Sequence, residues 1–223
     1  MNNFNYVVIS IGTAVLLVSF ILAFMLRKKK GLPGYFKFFY WIPLIRLLIS
    51  INSFLYLLFT AYGNTASSFF KNIFYLALFC FSSLFFYEIF KKKGISRVIK
   101  ITFLIIVAMI FFLLLINDFR YGLYNLYAVI NFMIFIFCIY YFYNFFDSKQ
   151  TFNLLNDSTF WIVNGFFLYA CIDLPLFAIL YYVVKINKNL GYNLLAVINI
   201  VIIIKHLFFI KAYRCAAKSG VEG

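Results

Sequence analysis

The sequence predicts an all-α fold: a polytopic membrane protein built as a seven-transmembrane-helix bundle, with its N-terminus outside and its C-terminus in the cytoplasm. Three observations predict it. Of 223 residues, 66% are hydrophobic and only 12% are charged, with a mean hydropathy of +0.99. A water-soluble domain carries roughly 25% charged residues and has no way to hide this much apolar surface. Apolar stretches of membrane-crossing length recur along the chain at 7–26, 38–62, 73–90, 101–116, 123–146, 161–184 and 190–210. Lysine and arginine gather in alternate connections between them.

Each stretch reads as a helix because the hydrocarbon offers no hydrogen-bond partner to an unsatisfied backbone group. The first, 7–26, ends on Arg27 to Lys30, which stop it, and no small-residue cleavage site follows, so it is expected to remain as a span. The second, 38–62, starts beside Trp41, and the third, 73–90, ends in Lys91 to Lys93. The fourth, 101–116, is the shortest, at about 24 Å of rise. The sixth, 161–184, starts at Trp161, so both tryptophans fall where an amphipathic ring anchors at the interface.

Fourteen basic residues lie in the connections after stretches one, three and five and in the C-terminal tail, against Lys71, Arg120, Lys185 and Lys188 on the other side. The positive-inside rule then puts the N-terminus outside and makes the count odd. The formal net charge of +14 is accordingly read as membrane orientation and not as nucleic-acid binding. It implies a bilayer with anionic lipids at the cytoplasmic face, in a bacterial inner membrane. The expectation is a single membrane domain spanning 1–223.

The octet YNLYAVIN at 124–131 returns as YNLLAVIN at 192–199. It reads as a packing surface, because buried Asn side chains often bond across membrane helices; a parallel repeat of the transporter kind is the other reading. Asn131 and Asn199 are its deeper polar positions.

Ionisable side chains at membrane depth are costly and mark candidate sites. Asp173 lies at the middle of the sixth stretch, in CIDLP, where Pro175 cannot donate to the carbonyl of Cys171 and predicts a kink. Arg46 in the second stretch and Lys205 in the seventh are its partners by depth, although either could instead snorkel to the headgroups. His206 adjoins Lys205 but points about 100° away. Glu88 sits one turn before Lys91 and Lys92 and predicts an interfacial ion pair. The candidate intramembrane polar site is therefore Asp173, Arg46, Lys205, His206, Asn131 and Asn199.

Metalloprotease and nucleophilic signatures are absent, and a lone histidine leaves no metal set. No enzyme activity, metal or cofactor is expected. Cys80, Cys138, Cys171 and Cys215 have no CxxC spacing. Seven stretches with a lysine in the last resemble microbial rhodopsins, but Val201 replaces the acid one turn before Lys205 and FYLALFCFSSLFF in stretch three holds no carboxylate. A retinal is not expected.

DSTFWIVNGFFLYACIDLPLFAIL, then NLLAVINIVIIIKHLFF and KAYRC, resembles a poorly characterised group of small polytopic membrane proteins of Bacteroidota. The matching positions are Phe160, Trp161, Gly165, Tyr169 and Asn199. The resemblance implies a neighbouring membrane-linked sensor histidine kinase and a LytTR-type response regulator. The expected role is a sensory or scaffold subunit working with a membrane protein partner. A small secondary transporter using Asp173 is the alternative, and the small-molecule ligand is left open.

Overall fold

The structure, a computed structural model, describes residues 3–27, 32, 34–58, 64–91, 95–116, 124–147 and 154–219. It is all-α among these residues. The elements are α1 (Asn3–Arg27), α2 (Phe36–Phe39), α3 (Trp41–Leu58), α4 (Asn64–Phe90), α5 (Ser96–Ile116), α6 (Tyr124–Asp147), a 3-10 turn (Leu154–Asn156), α7 (Ser158–Ile186) and α8 (Lys188–Ser219). Among the described residues, four stretches are long and apolar enough to cross a membrane: Val7–Leu26, Tyr127–Asp147, Ser158–Ile186 and Asn193–Lys218. Trp41–Ile51 and Tyr75–Phe90 are shorter apolar helices.

The predicted stretches correspond to α1 and to α3 through α8, with informative differences at their ends. The second stretch is broken at Tyr40 into α2 and α3. Pro43 explains the break, since it has no N–H for the carbonyl of Phe39 and its ring crowds that carbonyl. Positions 59–62 of that stretch lie outside the described residues. The last helix runs on to Ser219, because Ala212, Tyr213, Cys215 and Ala216 of the tail are buried against the bundle.

Contacts along the helices fix their relative sense. Asn131 meets Asp173 while Cys138 meets the Val163 carbonyl, so α6 and α7 are antiparallel. A Cβ on Gly165 would lie 3.0 Å from Phe209, and one on Gly191 would press on Val184 at the other end, so α7 and α8 are antiparallel as well. Trp41 stacks on Phe81 while Arg46 lies over Tyr75, which reverses α3 against α4. Phe79 stacks on Phe103 while Lys100 lies over Tyr87, which reverses α5 against α4. By contrast α1 and α8 run the same way: Gly12 faces Ile203 and Ser19 meets His206. Helices α1, α4, α6 and α8 therefore share one direction, and α3, α5 and α7 the other.

α7 is the centre, packed most extensively on α8 and α6. One residue, Asn187, joins α7 to α8; its side-chain oxygen accepts from Leu190 N–H at 3.2 Å, closing the turn. The interior holds two apolar cores. The larger is aromatic, with Phe39, Phe85, Phe86, Phe166, Phe209 and Tyr213 at its heart. Its rings meet edge-on or tilted, as in Phe39 against Phe209 at 4.7 Å. The smaller contains Tyr127, Tyr169, Phe177, Leu180, Ile198, Val201 and Ile202. The polar residues described next lie where the two meet.

Candidate functional site

Asp173 is fully buried at the middle of α7. Tyr169 precedes it by one turn and so shares its face. Asn131 of α6 donates Nδ2–H to Asp173 Oδ2 at 3.1 Å, while Asp173 Oδ1 has no hydrogen-bond partner. Arg46 of α3 and Lys205 of α8 are 4% and 1% exposed. Neither snorkels. Both act on the carboxylate electrostatically, but neither reaches it: among the described residues the salt bridge within 4.0 Å is Lys91 to Glu88, at 3.4 Å. The cluster thus joins helices α3, α6, α7 and α8 by charge across a gap.

Aromatic rings fill that gap. Lys205 Nζ sits 3.7 Å from the centroid of the Tyr169 ring. A desolvated contact of this kind contributes about 2 kcal/mol. The Arg46 guanidinium lies 5.3 Å from the Tyr75 ring of α4, and Tyr75 stacks on Tyr127 at 4.1 Å. Tyr127 donates its hydroxyl proton to Asn72 Oδ1. One guanidinium nitrogen of Arg46, Nη1, finds no acceptor.

A cavity of about 20 Å³ opens at the centre, lined by Tyr75, Ser82, Tyr127, Asn131, Tyr169 and Lys205 with apolar side chains around them. Space of this size admits one water-sized occupant.

Of the six residues singled out from the sequence, Asp173, Arg46, Lys205 and Asn131 converge. His206 is buried but turned toward α1, where its Nδ1 pairs with Ser19 Oγ at 3.2 Å. Asn199 is half-buried on α8 and outside the cavity wall. The octets thus part company where it matters. Their shared Ile130 and Ile198 are buried and Val129 and Val197 exposed in both copies, the pattern of a common packing surface. The one position at which they differ holds Tyr127, which lines the cavity, in the first copy and the exposed Leu195 in the second.

The proline, too, reads differently in three dimensions. Pro175 and Cys171 are exposed on the outer face of α7 while Asp173 points inward, so the carbonyl freed by the proline is not part of the carboxylate's surroundings. Sequence reasoning missed the roles of Tyr75, Tyr127 and Ser82. The available signal was a tyrosine deep in an apolar stretch, whose hydroxyl needs a polar partner when buried.

A second polar group fastens the start of α7. Asp157 caps it, accepting from Thr159 N–H at 2.8 Å. Its carboxylate is therefore the N-cap of α7. Tyr141 donates to its other oxygen at 3.5 Å. The Tyr35 hydroxyl pairs with Thr159 Oγ1 at 2.7 Å, tying the segment before α2 to α7. Burial pushes the Tyr35 phenol above its usual value. Trp161 donates its indole N–H to Leu155 O at 3.0 Å. Glu88 pairs with Lys91, as expected; Lys92 lies outside the described residues. Exposed Lys91, Arg97, Lys100, Lys211, Arg214 and Lys218 stand at this same end of the bundle.

Among the described residues, no group of three or more His, Cys, Asp or Glu side chains could hold a metal ion. No family model, curated protein or solved structure matches the chain. What the residues support is a multi-spanning membrane protein with ionisable side chains buried in its interior.

Proposed function

We propose that the protein is a non-enzymatic sensory or scaffold subunit of a bacterial inner membrane, acting through a membrane partner such as a sensor kinase. In this reading the chain crosses seven times, with its N-terminus outside and its C-terminus in the cytoplasm. The observation that carries the role is the sealed cluster of Arg46, Asp173 and Lys205 around a cavity of about 20 Å³. Groups this costly to bury are retained where they do something other than hold the fold. A space for one water-sized occupant suits a response better than the carriage of a solute. Charge changes in the cluster would shift α3 and α8 against α7, and the basic end would pass that shift to the partner and to anionic lipid.

A small ion-coupled transporter is the second reading, favoured by the unpartnered Oδ1 of Asp173. Asp173→Asn separates the two. The sensory reading expects altered partner co-purification or downstream output, with no proton or solute flux from proteoliposomes of either form. Flux in the wild type that Asp173→Asn abolishes would overturn it in favour of transport. Unchanged co-purification and output, with no flux, would reduce the carboxylate to a structural role.

A further inference from the structure

We propose that the exposed edge of α8, together with Trp161 of α7, binds an anionic phospholipid, with its phosphate headgroup on Lys211, Arg214 and Lys218. The site goes beyond the sensory reading; only its assignment to the cytoplasmic leaflet rests on the orientation given there. Val197, Ile200, Leu207, Lys211, Arg214 and Lys218 are all exposed. Their spacing follows the 3.5-residue repeat that keeps side chains on one slowly drifting stripe of a helix. The stripe changes character once. From Val197 to Leu207 it is apolar, over about 15 Å of rise, which is half of the ~30 Å of a bilayer's hydrocarbon. From Lys211 onward it is basic. A phospholipid of one leaflet has the same order and length, an acyl chain and then a charged headgroup.

The boundary between the two parts carries a fixed aromatic ring. Trp161 is half-buried and donates its indole N–H to the Leu155 carbonyl at 3.0 Å. Lys211 Nζ lies 5.7 Å from the centroid of that ring, and Phe208 packs on it with centroids 5.7 Å apart. An indole at the turn from apolar to charged surface sits at headgroup level. Among the described residues, none of Lys211, Arg214 and Lys218 forms an ion pair within 4.0 Å, so their charges are open to a phosphate. Charge also decides the occupant. Two copies in a membrane share one orientation, so a two-fold dimer across this stripe would set each basic side chain of α8 beside its own counterpart. Like charges at that range repel. An anionic headgroup complements all three, and a zwitterionic one brings no net charge to the contact.

The test reads the fluorescence of Trp161 in the full chain carrying Trp41→Phe, which leaves one of the chain's two tryptophans. The protein is purified in mild detergent and titrated with phospholipids brominated on their acyl chains. The expected result is saturable quenching by brominated phosphatidylglycerol at a lipid mole fraction about tenfold lower than for brominated phosphatidylcholine. Lys211→Gln, Arg214→Gln and Lys218→Gln together should abolish that preference. Lys91→Gln, Arg97→Gln and Lys100→Gln remove the same charge from the same end of the bundle and should leave it intact. All six side chains are exposed, so both variants are expected to fold, and thermal unfolding checks them. Equal quenching by the two lipids overturns the proposal. So does a preference lost equally in both variants, which would mean a general field and no site. Ready disulfide dimerisation through Leu207→Cys on a cysteine-free background would put a second copy on this face and overturn it as well. Phosphatidylglycerol preference with unchanged partner co-purification and output in the α8 variant would keep the lipid site and remove lipid from the signalling reading. Altered output without a lipid preference would do the reverse.

Discussion

Asp173 accepts a hydrogen bond from Asn131 and faces two cations with which it makes no ion pair within 4.0 Å. Removing a carboxylate from such a setting leaves both cations uncompensated, a loss of about 3–5 kcal/mol for a buried group stripped of its partner. Asp173→Leu is therefore expected to lower the stability of the detergent-solubilised protein by that order, and Lys205→Met introduced beside it to restore part of the loss. Unfolding measurements on the four members of that double-mutant cycle supply the coupling; simple additivity would mean that the two groups do not sense each other. Tyr169 provides a second test at this scale. Tyr169→Phe removes the hydroxyl that acts on Asp173 but keeps a ring under Lys205, whereas Tyr169→Leu removes both and should cost about 2 kcal/mol more in the same assay. The acid and its two basic partners were legible in the sequence because charges in apolar stretches announce themselves. Their aromatic spacers were not, since 24% of the chain is aromatic and composition cannot distinguish a ring over a cation from one facing lipid.

At the scale of the element, α7 carries the site and its neighbours hold it in register. Gly165 is small because α8 leaves no room there: an added Cβ would lie 3.0 Å from Phe209 and 3.2 Å from the Lys205 carbonyl. Gly165→Leu is expected to force α7 and α8 apart and destabilise the protein by about 1–3 kcal/mol or more. Gly12→Ala, whose methyl would meet Ile203 at an ordinary 3.5 Å, should change stability little; thermal unfolding in detergent compares the pair. Pro175 faces away from the carboxylate, so its effect belongs to the backbone. Pro175→Ala restores an N–H for the Cys171 carbonyl and should slow amide exchange around Cys171 to Pro175, as read by hydrogen-exchange mass spectrometry. Helix positions were largely legible, since apolar length alone defines them. Two ends were not. The break at Tyr40 needed the geometry of Pro43 against Phe39, and the extension of α8 to Ser219 needed to know that the tail is covered by the aromatic core.

The whole molecule is organised by direction and charge. Parallel α1 and α8, with α7 antiparallel to both, set the start of α1 and the end of α8 at opposite ends of the bundle. The proposed seven crossings would place those two ends on opposite faces of the membrane. Long-range placement was the least legible property. That Arg46 and Lys205 would turn inward, where depth alone left snorkelling open, depends on the aromatic wall that three separate helices build. The repeated octet shows the same limit: one face of it packs alike in both copies, yet only Asn131 reaches the acid.

Single cysteines introduced on a cysteine-free background and labelled with a membrane-impermeant thiol reagent test the central claim directly. With a cysteine at Asn3, intact cells should label, whereas one at Ser219 should label only after permeabilisation. Cysteines replacing Asp173 or Lys205 should stay unreactive from both sides in a folded protein. Labelling of Asn3 and Ser219 from the same side, or ready labelling at position 173 in the native state, would contradict a seven-crossing bundle with its charges sealed inside.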